Sequence, residues 1–549
     1  CQGTHTPLSR LAAASHPARH SLLALSRTPQ AGSQASKQAS SQRHSMAGEN
    51  GAAADGQPAR PNKRCWDSIG GYEAELNAHV EKERAAVLFA SKVGELLYER
   101  GIELVLFRKH LVDITTSELL RLHEYAEKVV EKKIDIFTTS ALTKALCEID
   151  LVPSKLDIGK IAHEWLAQTD SGKSMADFLR DTLTDLAPGK QCRTPAPRDV
   201  VLFGFGRIGR LAARLLILGA GKGQQLRLRA VVTRDNKPQD ILKRAALFSN
   251  DSTHGAFKGS VECDVEEQVL VINGQIVKFI SAKSPEDIDY TKFGIKDALV
   301  IDNTGAFTDM ASLSRHLQSG GVDKVILTAP GKGVPNIVYG INQDVIDLQN
   351  DKIVSAASCT TNAVSPILKV IEDTFGVRKG HVETIHSYTN DQNLLDNFHK
   401  KARRGRSAAV NMVITATGAA TAVPKIIPSL KDKLTANAVR VPTPNASLAI
   451  LNLELNAPAT LEAINDSIRV ASISGDLVNQ IHYSIDEELV SNDVVGNDCC
   501  SVYDTHASIG CQDGSSCILY TWYDNEFGYT KQVIRLAKFV SGVRRMVYY

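Results

Sequence analysis

The chain lacks the sequence patterns that identify membrane proteins, metal-binding modules and strongly charged nucleic-acid binders. No apolar run reaches the ~18 residues that a membrane helix needs. The ten cysteines are scattered, without CxxC pairs or Cys/His clusters at zinc spacing, which predicts free thiols in a reducing compartment and no metal site. Lys and Arg number 63 against 61 Asp and Glu, and this near-balance argues against a dedicated nucleic-acid binder.

Acidic residues are also missing from the first 48 positions, which are rich in Ser, Ala, Arg and His. That composition is typical of an organellar transit peptide. Met46 opens an ordinary polar stretch, so translation from an upstream position is an equal alternative. We predict a disordered leader or presequence over 1–63. We expect a cytoplasmic protein, or a plastid or mitochondrial one if residues 1–48 are a true presequence.

Helical periodicity dominates the next part of the chain, from residue 64 to residue 190. Glu73–Glu103 is a long amphipathic run, and Thr116–Ile134 begins with candidate N-caps and spaces its apolar residues three to four apart. The pattern predicts an extra all-α module with a solvated charged face and an unknown partner. We expect its removal to leave the remaining fold and chemistry intact. A Pro-rich linker follows at Cys192–Asp199.

A glycine-rich motif then joins an apolar strand to a helix. The glycines are Gly204, Gly206 and Gly209, in the spacing GxGxxG. Between a strand and a helix, such glycines let the backbone approach a pyrophosphate at the helix N-terminus. Further strands alternate with helical or irregular pieces, which suits a doubly wound parallel sheet. The sequence therefore predicts an α/β dinucleotide-binding domain.

The strand after this helix should end in the residue that binds the adenosine ribose. An acid there hydrogen-bonds the 2′-hydroxyl of NAD, whereas an arginine accommodates the 2′-phosphate of NADP. The chain offers Arg234 and Asp235 in adjacent positions. We favour NAD through Asp235, with NADP as the alternative.

Cys359 lies where a predicted buried strand gives way to a predicted helix. A helix N-terminus presents unpaired N–H groups and a partial positive charge, which favours thiolate and predicts a lowered thiol pKa. The position also lies at the carboxyl edge of the sheet, where open α/β folds place their chemistry. We therefore interpret Cys359 as a nucleophile, against the alternative of a buried structural cysteine. Downstream of it strands outnumber helices, which predicts a mixed sheet.

Seven motifs in order carry a family resemblance over residues 198–549. They are GFGRIGR, DSTHG, SCTTNA, HSYT, TGAA, RVPTPN and WYDNEFGY. With them the chain resembles the phosphorylating glyceraldehyde-3-phosphate dehydrogenases, in a long form with an N-terminal helical extension. The resemblance implies a Rossmann-type NAD(P)-binding domain at 196–358, completed by a C-terminal helix over 526–549. It also implies an α+β catalytic domain at 359–525 and a homotetramer.

The resemblance implies a covalent mechanism with Cys359 as nucleophile and His386 as the base that takes the hydroxyl proton. Glyceraldehyde 3-phosphate would be oxidised through a thioester, and inorganic phosphate would release 1,3-bisphosphoglycerate, as in glycolysis and gluconeogenesis. Erythrose-4-phosphate dehydrogenase shares this residue pair and is the nearest alternative. A different alternative is a scaffold or interaction protein that uses the helical module.

Two sets of binding residues also follow from the resemblance. The cofactor set comprises Gly204, Gly206, Arg207, Ile208, Gly209, Arg234, Asp235, Lys283, Thr304, Asn525 and Tyr529. The substrate and phosphate set comprises Ser358, Thr360, Thr389, Asp391, Thr417, Gly418 and Arg440.

Two of these positions depart from the common pattern of the family. Asp391 stands where many members have a phosphate-binding threonine, and an acid there repels phosphate unless a cation neutralises it. Lys283 stands where many members have an arginine near the adenine.

Overall fold

A computed structural model describes residues 69–168, 172–189, 196–234 and 237–549. The predicted leader over 1–63 and the predicted ribose residue Asp235 lie outside these ranges. Within them, no helix combines the length and apolar character needed to cross a membrane.

The N-terminal module is predominantly helical, but the prediction of an all-α module is wrong. Its elements are α1 (Ile69–Arg100), β1 (Glu103–Leu106), β2 (Lys109–His110), α2 (Thr116–Lys128), α3 (Ile136–Cys147), β3 (Ser154–Asp157), α4 (Ile158–Leu166) and α5 (Met175–Thr182). Gly101 at φ +71° follows the end of α1, and the left-handed Phe107 and Arg108 form the turn between β1 and β2. The strands are four residues long or shorter, and runs this short cannot be told from helical segments by periodicity.

The expected dinucleotide-binding fold is confirmed by an eight-stranded sheet. Its elements are β4 (Arg198–Phe203), α6 (Arg207–Leu218), β5 (Leu226–Thr233), α7 (Asp240–Ser249), β8 (Val261–Asp264), β9 (Val269–Ile272), β10 (Gln275–Ser281), β11 (Ala298–Asp302), α8 (Met310–Ser314), β12 (Val322–Leu327) and β13 (Ile353–Ser355), with β6 (Asn250–Asp251) and β7 (Gly255–Ala256) as a separate short hairpin. The strand order is β13-β12-β11-β4-β5-β10-β9-β8, and the first six strands are parallel. The order reverses beside β4, where open α/β sheets leave a crevice for ligands.

The predicted mixed sheet is present in the second half. Its elements are α9 (Cys359–Thr374), β14 (Val377–Ser387), β15 (Val413–Thr415), α10 (Ala419–Ile426), β16 (Leu434–Val441), β17 (Ser447–Leu455), α11 (Leu461–Ile473), β18 (Ile481–Ser484), β19 (Ser501–Gly510) and β20 (Ser516–Tyr523). The order is β15-β16-β14-β17-β20-β19-β18, with parallel pairing only at β16/β14 and β19/β18. Because β14 and β16 run parallel in register, His386 lies directly beside Arg440.

The last helix, α12 (Phe527–Val540), ends well before residue 549, which corrects the predicted helix over 526–549. The chain continues into β21 (Met546–Tyr548), which pairs in parallel with β3. The N-terminal sheet therefore has the order β2-β1-β3-β21, and its fourth strand comes from the far end of the chain. A local reading of the N-terminal sequence had no means of detecting this strand.

Candidate active site

A strained turn carries Cys359 from β13 to the first position of α9. Ala357 is buried at φ +56°, a conformation that side chains other than glycine rarely adopt. Ser358 caps the helix, since its Oγ accepts a hydrogen bond from the backbone N–H of Thr361 at 3.0 Å. The Tyr529 hydroxyl donates to the Ala357 carbonyl at 3.0 Å and braces the same turn. The predicted junction of strand and helix at Cys359 is therefore present.

The structure brings Cys359 and His386 together, although 27 positions separate them in the chain. The Cys359 sulfur lies 3.9 Å from Nε2 of His386. Nδ1 of the same ring lies 2.7 Å from the Ser387 carbonyl and 3.0 Å from Nη1 of Arg440; the carbonyl, an acceptor at the shorter distance, favours the ring hydrogen on Nδ1. Nε2 then carries the lone pair, which suits the Asn525 amide nitrogen 3.2 Å away. The imidazole can accept a proton on the side that faces the sulfur.

The protonation states at the site follow from burial and from nearby cations. Burial and the charge of Arg440 lower the pKa of His386 to about 3, so the imidazole is neutral at physiological pH. Burial raises the pKa of the Cys359 thiol above its ordinary value, and Arg440, Thr360 and Asn525 only partly oppose this effect. The predicted lowering of the thiol pKa is therefore wrong for the protein alone, because the cost of removing water around the sulfur exceeds the stabilisation of its charge.

A cavity of about 470 Å³ opens in front of the Cys359 sulfur. It gathers nearly all of the predicted substrate and phosphate residues, namely Ser358, Thr360, Thr389, Thr417, Gly418 and Arg440. Sequence reasoning missed four further cations that line it: Lys332, Lys401, Arg404 and Lys425. Clustered cations and hydroxyl groups are the chemistry that binds phosphate oxygens.

Arg440 is the central cation of this cavity. Its Nη1 donates to the Ser387 carbonyl at 2.9 Å and approaches the Thr389 hydroxyl at 3.5 Å. Its Nε is buried and has no hydrogen-bond partner. A buried donor without a partner is unfavourable, and an anion in the cavity would satisfy it. Thr360 is less available, because its buried hydroxyl lies 3.1 Å from the Tyr523 hydroxyl.

Asp391 does not line the cavity with the other predicted residues. Arg404 donates a hydrogen bond from Nη1 to its carboxylate, and Nε2 of His399 lies 3.6 Å from the other carboxylate oxygen. Arg404, with a smaller contribution from His399, lowers the pKa of Asp391 despite its partial burial. The negative charge expected to repel phosphate is therefore paired with a cation. The basic run KKARRGR showed that cations are concentrated in this segment, but it did not show that Arg404 pairs with Asp391.

The glycine motif forms a close-fitting cradle at the end of β4. Gly204 has φ +99°, and a Cβ there would lie 3.2 Å from the backbone nitrogen of Thr304, at the end of the neighbouring β11. A Cβ at Gly209 would lie 2.4 Å from the Gly204 carbonyl oxygen. Gly206 caps α6 with open space beside it. The residues present thus fit a dinucleotide, because only glycine leaves room for this turn at a helix N-terminus.

The other predicted cofactor residues of this domain differ in their surroundings. Arg207 is occupied by a bidentate pair with Glu526 and a 3.1 Å contact with Asp251. The Thr304 hydroxyl donates to Asp302 at 2.7 Å. Ile208 packs on the domain core, whereas Arg234 and Lys283 are exposed at the surface.

Asn525 and Tyr529 lie on the Cys359 side of the crevice, following β20. Asn525 contacts His386, and Tyr529 is buried under the Cys359 turn. Among the described residues, no group of three or more His, Cys, Asp or Glu is arranged to hold a metal ion.

Comparisons with known proteins agree with this arrangement. The family model "Glyceraldehyde 3-phosphate dehydrogenase, NAD binding domain" matches residues 198–310, and "Glyceraldehyde 3-phosphate dehydrogenase, C-terminal domain" matches residues 358–525. A glyceraldehyde-3-phosphate dehydrogenase-like protein of Pseudomonas aeruginosa is 46% identical over 454 residues, covering 82% of this chain and 98% of the relative. Glyceraldehyde-3-phosphate dehydrogenase 1 of Bacillus subtilis is 40% identical over 339 residues, covering 62% and 96%.

A plant relative is similar over a comparable part of the chain. The chloroplastic glyceraldehyde-3-phosphate dehydrogenase A of Zea mays is 36% identical over 372 residues, covering 68% of this chain and 89% of the relative. The Pseudomonas aeruginosa match, at 454 residues, is longer than the segment 198–549. Its similarity therefore includes part of the N-terminal module.

Proposed function

The chain belongs to the glyceraldehyde-3-phosphate dehydrogenase family, and on that premise we propose that it oxidises glyceraldehyde 3-phosphate to 1,3-bisphosphoglycerate with NAD⁺ and inorganic phosphate, a reaction of glycolysis. The observation that carries the proposal is the Cys359 sulfur 3.9 Å from the acceptor nitrogen of a neutral His386, in a cavity lined by cations. That set of groups supports nucleophilic attack, proton transfer and phosphate binding at one place.

The reaction begins with the sulfur of Cys359. Nε2 of His386 accepts the thiol proton as the aldehyde binds, the sulfur attacks the carbonyl carbon, and the proton passes to the new hydroxyl. Nε2 then takes this hydroxyl proton while a hydride leaves the same carbon, which gives a thioester on Cys359. When bound, NAD⁺ supplies the acceptor for that hydride. Its pyrophosphate would lie at the glycine cradle, with Asn525 on the side of the reacting groups.

Inorganic phosphate completes the cycle by attacking the thioester carbon, and the sulfur leaves as thiolate with the acyl phosphate as product. The proton held on His386 then returns to solvent or to the sulfur. Arg440 and Thr389 would hold the phosphate of the substrate. Ser358, Thr417 and Gly418 would hold the attacking phosphate, with Lys425 beside them.

The test is a turnover assay of the purified full-length chain with glyceraldehyde 3-phosphate, phosphate and NAD⁺, followed by absorbance of the reduced cofactor. We expect turnover that disappears in Cys359→Ser, because an alcohol is a much weaker nucleophile at neutral pH. Equal and negligible rates in both proteins would refute the proposal. Parallel reactions with NADP⁺ in place of NAD⁺ measure the cofactor preference. Reactions with erythrose 4-phosphate in place of glyceraldehyde 3-phosphate test the alternative substrate.

A homotetramer is part of the proposal, and exposed apolar side chains in the segment 394–412, which also supplies Lys401 and Arg404 to the cavity, support it. These side chains are Leu394, Leu395, Phe398, Val410 and Met412, with Phe398 92% exposed. Large exposed apolar patches usually mark protein contacts. Light scattering should give four times the chain mass, and Phe398→Ser should shift the protein towards smaller species. A monomeric wild-type protein would contradict this part.

A further inference from the structure

Three consecutive residues between β20 and α12 connect three separate parts of the molecule. Asp524 contacts His254, which belongs to the segment 251–255 after α7, at 2.9 Å. Asn525 contacts His386 at 3.2 Å, and Glu526 pairs with Arg207 at the start of α6. The proposed mechanism uses Asn525 and His386 but gives no task to His254.

Asp524 fixes the backbone that follows Asn525 and ties it to Gly496 and His254. One carboxylate oxygen accepts the backbone N–H groups of Glu526 and Phe527, each at 2.8 Å. The other accepts the N–H of Gly496 at 2.8 Å and contacts Nε2 of His254. The Asp524 side chain has no exposed surface. A buried carboxylate needs a nearby cation as well as hydrogen bonds.

His254 is the group placed to supply that positive charge. Its side chain is 4% exposed and stacks on the ring of Phe527, with centroids 5.8 Å apart. The charged groups that face it are Asp251, Asp524 and Glu526, with Arg207 opposite. Burial opposes protonation of His254, but the three carboxylates outweigh it and raise the pKa above its ordinary value.

A neutral chain of contacts continues from this pair to the reacting groups. The amide nitrogen of Asn445 donates to the Asp524 carboxylate beside His254, and the Asn445 side-chain oxygen accepts the backbone N–H of Asn525 at 3.1 Å. The Ser447 hydroxyl donates to the side-chain oxygen of Asn525 at 2.9 Å. Together these contacts set the direction in which the Asn525 amide nitrogen points.

We propose that His254 is a positioning residue for the oxidation step: held as an imidazolium against Asp524, it fixes Asn525 against His386 and Cys359. The expected effect of His254 on turnover rests on the proposed function. Its expected effect on the Cys359 thiol is independent of that function, because the Asn525 amide is one of the groups that lower the pKa of the thiol. Displacement of Asn525 should therefore be visible without any substrate.

The test compares His254→Gln and His254→Phe with wild type, all as full-length chains. The matched control is His123→Gln, which removes another buried imidazole, one that bonds Thr139 and the Leu119 carbonyl in the N-terminal module. Two quantities are measured. The first is kcat and KM with glyceraldehyde 3-phosphate and NAD⁺. The second is the pH midpoint of Cys359 alkylation by iodoacetamide, followed on its own peptide by mass spectrometry.

We expect kcat of His254→Gln to fall about tenfold or more with little change in KM for the aldehyde, since a displacement near 1 Å can cost about 100-fold in rate. The alkylation midpoint should move to higher pH, and His254→Phe should show the larger change. The control His123→Gln should match wild type in its kinetic constants and in its alkylation midpoint. Should His254→Phe not fold, His254→Gln, which keeps a donor for Asp524, carries the comparison.

Two outcomes separate this inference from the proposed function. A lowered melting temperature with unchanged kcat and an unchanged alkylation midpoint would make His254 merely structural and overturn the inference. A wild-type protein without turnover, whose alkylation midpoint still responds to His254→Gln, would refute the proposed function and support the positioning role.

Discussion

Glu103 holds together a buried cluster of cations where the N-terminal module meets the end of the chain. Its carboxylate lies 2.9 Å from Nζ of Lys155 and 3.0 Å from Nη1 of Arg545. The three side chains are 13%, 16% and 6% exposed. Burial opposes ionisation of Glu103, yet Lys155 and His110 keep its pKa well below the ordinary value. Glu103→Gln preserves the shape of the side chain and removes this charge.

The substitution leaves Lys155 and Arg545 buried without a counter-ion, and removing one partner of a buried pair typically costs about 3–5 kcal/mol. Arg545 precedes β21, so the loss should appear first in β3 and β21. Hydrogen exchange of the native protein, read on peptides from these strands, measures it directly. Because each 1.4 kcal/mol is about tenfold in the opening equilibrium, exchange should accelerate about 100-fold or more.

Glu454→Gln is the matched control, because Glu454 makes comparable pairs at the surface. Its partners Arg378 and Lys379 are each 63% exposed, and exposed pairs contribute about 0–1 kcal/mol. Lys155→Met added to Glu103→Gln should recover part of the loss, since it removes one unpaired charge. If Glu103→Gln exchanges like the Glu454 control, the reasoning about a buried ion cluster is refuted.

Three further predictions follow from the site. The pKa of His386 is about 3 in the fold against an ordinary 6.5, so between these pH values the unfolded chain binds a proton that the folded chain does not. The free energy of unfolding should therefore fall by up to about 1.4 kcal/mol per pH unit as the pH drops from 6.5 towards 3. Acid-induced unfolding of His386→Gln should lack this contribution, and an acid midpoint equal to that of wild type would contradict the prediction. Arg404→Met should leave the Asp391 carboxylate with only His399 beside it and raise KM for phosphate at least several-fold in steady-state assays, whereas an unchanged KM would exclude Arg404 from anion binding. Gly209→Ala would place a Cβ 2.4 Å from the Gly204 carbonyl oxygen and should weaken NAD⁺ binding in calorimetry, with wild-type affinity as the contrary result.

Features encoded by neighbouring residues were predictable from the sequence. The strand, glycine turn and helix around Gly204 follow from local spacing, and so does the helix that begins at Cys359. The motifs also named Cys359, His386 and nearly all of the predicted phosphate residues around the cavity, because each motif supplies its residues at one strand end or helix start. Parallel strands then bring those ends to one edge of a sheet, as the register of His386 with Arg440 illustrates.

Features that depend on distant partners were not predictable in this way. The thiol pKa depends on how much water surrounds the sulfur, which no local pattern reports. The neutralisation of Asp391 needs Arg404, 13 positions away, to fold back onto it. The motif DSTHG was recognised, but the task of its histidine becomes visible only when Asp524 lies beside it.

The N-terminal module illustrates the same limit on a larger scale, and its structure argues against the expectation that it can be removed without consequence. Its sheet includes β21 as an edge strand, its Val129 belongs to the hydrophobic core of the catalytic part, and Arg469 of α11 donates to the Val129 carbonyl at 3.3 Å. The helix α12 begins beside Asn525 and leads through Arg545 into β21. One continuous segment thus joins the reacting groups to the module. Deletion would leave the cations of Lys538 and Arg545 without Glu103, so the module is a structural part of the dehydrogenase rather than an appendage.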